Sequence, residues 1–179
     1  EYNDDSREEI KRQEKERLNY LIEKVNSGEA TSDEHFILYI GMRGEAEFSD
    51  EERKRYENLT IQSLEKDISN GYSPANANYL LSLIYSLKRD DEKALLYINN
   101  AINIEPNNTK LYLKRAEIYK ECKQMHLAML DYAMAKKLNP AYYKSYVEEQ
   151  KRYTISFLRP VIVSFIIISI FILIFFFLR

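Results

Sequence analysis

A single cysteine, Cys122, excludes an intrachain disulfide and any zinc site built on paired thiolates. Lys120 and Lys123 beside it would lower its pKa. A plain cysteine in a link between helices is nonetheless the expected reading. The two histidines, His35 and His126, lie in separate stretches, without an HExxH run or a carboxylate spacing that would hold a metal. Four glycines and four prolines in 179 residues leave little material for tight hairpins, which argues against an all-β chain. No Gly-rich phosphate loop and no GxSxG elbow is present. The chain therefore reads as a non-enzyme that needs no cofactor. It starts at Glu1 rather than at methionine, which suits a fragment or a processed product.

Charge is nearly balanced at −2 but unevenly spread. Glu1–Pro74 carries 19 acids against 11 bases, whereas Thr109–Pro160 carries 5 acids against 11 bases. A basic stretch of this kind can serve nucleic acid, but beside an apolar tail it points rather to anionic lipid or to an acidic partner, and no nucleic acid is expected.

What is plentiful is helical periodicity, and in one region it is duplicated. Ala75–Asn108 and Thr109–Tyr142 are adjacent stretches of equal length that align without a gap. Tyr85 then meets Tyr119, Ala94 meets Ala128, Ile98 meets Tyr132, Ala101 meets Ala135, and Pro106 meets Pro140. A fixed period of this size marks a stacked repeat. Leu80, Leu81, Ile84 and Leu87 recur at helical spacing in the first half of the first copy, and Leu95, Ile98, Ala101, Ile102 and Ile104 in the second. Small side chains at Ala94 and Ala128 let helix axes close to ~8–10 Å. Pro106 and Pro140, lacking an amide hydrogen, end one unit and open the next.

These positions resemble the tetratricopeptide repeat, whose units place a tyrosine late in the first helix, small residues where the helices cross, and a closing proline. Two departures stand out: Asn78 replaces an aromatic, and Arg89 and Lys123 replace the glycine usual between the two helices. The resemblance implies an all-α solenoid of antiparallel helix hairpins. It also implies a concave groove lined by the first helix of each unit, where a partner protein segment would bind. Carried over residue by residue, the groove comprises Asn76, Tyr79, Leu80, Leu83, Ser86 and Leu87 from one copy. The other contributes Lys110, Leu113, Lys114, Glu117, Lys120 and Glu121, and Lys144 and Lys151 join from the next helix. Apolar on one wall and lysine-rich on the other, it suits an acidic or apolar peptide segment. The family's clamp for the C-terminal carboxylate of heat-shock chaperones is incomplete: Lys110 fits it, Lys114 stands for an arginine, and Leu80 for an asparagine.

The remaining chain divides around these copies. Residues 1–30 form a charged helix, with a capping box at Ser6–Glu9 and a Glu8–Arg12 pair, ended by Gly28. Residues 31–74 form a degenerate hairpin of the same type, with capping boxes at Thr31–Glu34 and Ser49–Glu52. Ser73 then caps, and Pro74 starts, the first clear repeat. Residues 75–108 and 109–142 are the two repeats, and residues 143–159 cap the stack. Residues 160–179 follow a bend at Pro160 as a single transmembrane anchor. The run Val161–Leu178 has eighteen residues without a charge, about 27 Å of helix at ~1.5 Å per residue against a ~30 Å bilayer core. Lys151, Arg152 and Arg159 precede it and only Arg179 follows. By the positive-inside rule, a single-pass, tail-anchored protein with cytoplasmic repeats is expected, the lipid bilayer being one partner. The function this implies is a membrane-anchored adaptor or scaffold. The alternatives are a structural subunit of a membrane complex and the sensory part of a membrane signalling receptor.

Overall fold

The computed structural model describes the backbone of residues 4–177, and the side chains of residues 6–156, 158–160 and 163–164. Eight helices and no strand occur among the described residues. They are α1 (Asp4–Asn26), α2 (Ser32–Gly44), α3 (Asp50–Asn70), α4 (Pro74–Leu87), α5 (Asp91–Ile104), α6 (Thr109–Glu121), α7 (Met125–Leu138) and α8 (Pro140–Phe177). Each packs on the next in sequence, most extensively within the pairs α4/α5 and α6/α7. The short links 88–90 and 122–124 leave no route for the second helix but back along the first. In the alignment of the two copies Asp91 meets Met125 and Ile104 meets Leu138, and these are the first and last residues of α5 and α7. The period seen in the sequence is thus also the period of the helices.

Helix starts follow the local chemistry. Thr31 and Ser49 each close a capping box: the hydroxyl accepts from the amide of Glu34 or Glu52, and that carboxylate accepts from the cap's own amide at 2.8 Å. Each cap satisfies donors that the first turn leaves unpaired, a contribution of about 1 kcal/mol. Gly71, at φ 68°, stops α3 in the left-handed conformation. Three expectations need correction here. α1 starts at Asp4, ahead of the proposed Ser6 cap, and Arg12 pairs with Glu9 at 2.8 Å and Glu16 at 4.0 Å rather than with Glu8. Ser73 sits at φ 43° without a side-chain cap bond, so Pro74, preset for the first helical turn, opens α4 unaided.

Two cores result. The larger runs from Tyr39 of α2 to α7, with Leu81, Ile84, Ala94, Ile98 and Ala101 inaccessible to solvent. Each large aliphatic there contributes about 1.5–3 kcal/mol by leaving water. Alanines at both helix crossings allow the close approach, and Tyr85 lies flat on Tyr97, ring centroids 5.4 Å apart. The smaller core joins Leu18, Leu21 and Val25 of α1 to Leu38 and Met42 of α2 and Tyr56 of α3. Residues 10–17 of α1 are exposed, as their charge requires.

α8 departs furthest from expectation. It runs 38 residues, about 57 Å at ~1.5 Å per residue, and passes through Pro160 as one helix. The helix is uninterrupted there; Ser164 Oγ donates to the Pro160 carbonyl at 3.0 Å one turn on. Only its beginning packs: Tyr143 and Tyr146 are half-buried against α6 and α7, while residues 148–156 are exposed. Among the described residues, no helix is long and apolar enough to cross a membrane. The exposed stretch of α8 holds Glu148, Glu149, Lys151, Arg152 and Arg159, and most side chains of Val161–Leu178 lie outside the described residues. The transmembrane anchor, the single-pass topology and the membrane localisation are withdrawn on that finding.

Candidate binding face

The first helices of successive hairpins, α4 and α6, lie side by side with the start of α8, and specific side chains join them. Lys110 of α6 places Nζ 4.3 Å from the centre of the Tyr79 ring on α4, a cation–π contact. Glu117 of α6 accepts from the Tyr146 hydroxyl of α8 at 3.0 Å, and its second oxygen lies 3.5 Å from Lys114 Nζ. The Tyr79 phenol is pushed up to about 12, by burial first and then by the negative charge of Glu117 and the phenol of Tyr142. Burial likewise holds the Tyr146 phenol well above the ordinary tyrosine range, with Tyr132 and Glu117 adding to it. Both tyrosines therefore stay neutral hydrogen-bonding groups at any physiological pH.

Of the residues assigned to the groove, Tyr79, Leu83, Lys110, Lys114 and Glu117 are brought together at least partly accessible. Leu80, Ser86 and Leu113 are buried at 7%, 7% and 4% exposure, so they support the face from beneath and cannot meet a ligand. Asn76 is exposed, but its amide donates to Asp33 at 3.0 Å, tying α4 to the start of α2. Leu87 is exposed at the end of α4, and Glu121 pairs with Arg89 at 3.0 Å. Lys144 is exposed on α8. Lys120 and Lys151 edge a cleft of about 430 Å³ between α8 and the α6/α7 hairpin, walled by Tyr132, Tyr143 and Tyr146. Those tyrosines, with Tyr142, were not assigned to the groove from sequence. Treating α8 as one more first helix in the series would have found Tyr142 and Tyr146, one turn apart at its start, but neither Tyr143 nor Tyr132 of α7.

Behind the face, Arg115 binds Asp131 of α7 through two bonds, Nε to Oδ2 at 2.8 Å and a terminal nitrogen to Oδ1 at 2.7 Å. Its other terminal nitrogen donates to Asn99 of α5 at 2.6 Å, and its plane lies against Tyr112 and Tyr119. One side chain thus fixes the register of α5, α6 and α7. Cys122 differs from expectation: burial, followed by Asp91, raises its thiol pKa, so the nearby lysines do not activate it. Among the described residues, no group of three histidine, cysteine or carboxylate side chains is placed to hold a metal ion. No protein-family model matches this chain, and no curated protein matches it in sequence.

Proposed function

We propose that this chain is a helical-repeat scaffold that holds a segment of a partner protein against the face made by α4, α6 and the start of α8. The observation that carries this reading is two sets of contacts, Lys110–Tyr79 and Tyr146–Glu117–Lys114, which link α6 to α4 and to α8 across a half-exposed surface. Tyrosine gives large contact area for few rotors, and lysines at the margin steer and select a partner of opposite charge. Held already by their neighbours, these side chains lose little freedom on binding. On this reading the work is recognition, with no bond made or broken.

The test is affinity capture with the chain and two variants. Tyr79→Ala with Lys110→Glu is expected to lose a specifically captured protein, whereas Met129→Ser on the exposed side of α7 retains it. Lys110→Glu alone, at an exposed position that leaves the core intact, gives a partial loss. Equal capture by all variants, with unchanged helical circular dichroism, rejects the face.

A further inference from the structure

We infer that the cleft between α8 and the α6/α7 hairpin anchors a large apolar side chain of a partner peptide while its flanking carboxylates meet Lys120 and Lys151. This rests on the scaffold reading and names the chemistry that one end of the face would select.

The walls are aromatic and set at angles. Tyr132 faces Tyr143 at 6.4 Å between centroids, tilted by 60°, and Tyr146 at 6.3 Å, tilted by 36°. Such tilted rings present both faces and edges, an arrangement that receives another aromatic or a branched aliphatic group. Val147 and Ile155 add apolar surface, and the volume, about 430 Å³, is on the scale of ligand pockets of ~300–1,000 Å³. The charges at its edge are of one sign. Lys120 comes from α6 and Lys151 from α8, and no Asp or Glu is among the lining residues. Glu148 lies 3.1 Å from Lys151 on exposed surface, where an ion pair adds little and yields readily to a competitor. Glu117, the carboxylate nearest the tyrosines, is engaged by Tyr146.

The surroundings add to the same preference, since Thr109–Pro160 carries 11 bases against 5 acids. A basic ligand would be repelled, and a purely apolar one would leave Lys120 without a carboxylate among the lining residues and Lys151 with only its exposed Glu148. A single-stranded nucleic acid would need open ring faces on which successive bases stack. Here the three rings pack towards one another around one concavity. An acidic peptide with one apolar anchor satisfies both features.

Fluorescence anisotropy on the full chain tests this with a labelled short peptide, one phenylalanine flanked on both sides by glutamates. Saturable binding is expected, weakening as salt rises from ~50 to ~200 mM. Lys120→Glu with Lys151→Glu, and separately a peptide with alanine for phenylalanine, should each weaken it about tenfold or more. Lys66→Glu, on an exposed side of α3 outside both the cleft and the face, should leave it within about twofold. Both cleft lysines are exposed, so their reversal tests recognition without disturbing the fold. Absence of saturable binding, equal weakening by Lys66→Glu, or equal affinity for a glutamate-to-lysine peptide or an oligothymidylate would overturn the assignment. Because Tyr79 and Lys110 lie outside the cleft, partner capture that depends on them while the peptide fails to bind sinks this inference alone. The converse result sinks only the wider face.

Discussion

Arg89 and Lys123 occupy the same left-handed backbone conformation, both at φ 61°, in the equivalent turns of the two repeats. Left-handed geometry crowds Cβ against the following carbonyl and costs a non-glycine residue roughly 1–2 kcal/mol. The turn requires it nonetheless, since the amides of Asp90 and Gln124 reach back to the carbonyls of Tyr85 and Tyr119 at 3.0 and 2.8 Å. Arg89→Gly and Lys123→Gly should therefore each stabilise the chain. Glycine's greater freedom in the unfolded chain offsets part of the gain, leaving about 0.5–1 kcal/mol per site. Losing the exposed Arg89–Glu121 pair subtracts little. Thermal unfolding of the single and double variants measures it, and a fall in midpoint would contradict this account. Arg89→Val, branched at Cβ, should move the midpoint the other way.

The Arg115–Asp131 pair makes a second prediction, because its two members are unequally buried. Asp131 is 5% exposed and has the guanidinium as its charged partner. Arg115→Met would strand that carboxylate, and breaking a buried pair in this way costs about 3–5 kcal/mol. Arg115→Lys keeps the charge but not the fork that bridges Asp131 and Asn99, so its loss should be intermediate. The double variant Arg115→Met, Asp131→Leu should recover most of the stability, as it leaves no buried charge unpaired. Urea unfolding of the three variants ranks them. A double variant no better than Arg115→Met would show that the pair is not the cause.

The features legible in the sequence were those with strong local causes. Thr31 and Ser49, each three positions before a glutamate, stated the starts of α2 and α3, and Gly71 stated the end of α3. The alanines, tyrosines and prolines that recur in step between the two copies located α4 to α7. Less legible was anything decided by tertiary packing. Leu80, Leu113 and Ser86 fall on the face-bearing side of their helices in the repeat pattern, yet neighbouring helices close over them. Arg89 and Lys123 looked like departures from a glycine turn, but the hydrogen bonds on either side enforce the same backbone. Pro160 suggested a bend because its missing amide removes one helical bond, and the long helix continues through it. The cleft at Tyr132, Tyr143 and Tyr146 draws on two helices, and no spacing within either one announces it.

His35 gives the chain an acid sensitivity whose sign is fixed. Its Nδ1 is buried without a hydrogen-bond partner among the described residues, and burial holds its pKa below the ordinary 6.5, with Glu34 opposing. Between the ordinary value and the depressed one, the unfolded chain binds a proton that the folded chain refuses. Stability is therefore full above about pH 6.5 and falls as acidification proceeds through that window. Glu34 acts lower: Lys24 first, then the Thr31 amide, hold it at about 2 against an ordinary 4.5. Its contribution is present above pH 4.5 and fades towards pH 2. Urea midpoints taken from pH 7.5 to 5 should fall in the wild type and stay flatter in His35→Gln. Parallel curves would remove His35 as the source.

α1 packs on α2 at a residue without a side chain. A Cβ built on Gly41 of α2 would come 2.5 Å from Leu18 Cδ2, so α1 seats against bare backbone at that point. α1 belongs only to the smaller core, with α2 and α3, so it can detach without unpacking α4 to α7. Alanine at Gly41 meets only the tip of a flexible leucine and gains helix propensity, so Gly41→Ala should be close to neutral. Gly41→Leu, by contrast, should overfill the site at a cost of about 1–3 kcal/mol, borne by α1 alone. Limited trypsin digestion separates these outcomes, since α1 carries Arg12, Lys15, Arg17 and Lys24. Gly41→Leu should be cut rapidly within α1 while a fragment holding α4 to α7 survives, and Gly41→Ala should digest like the wild type. If Gly41→Leu instead falls apart everywhere at once, the two cores are a single cooperative unit and α1 is not a separable element.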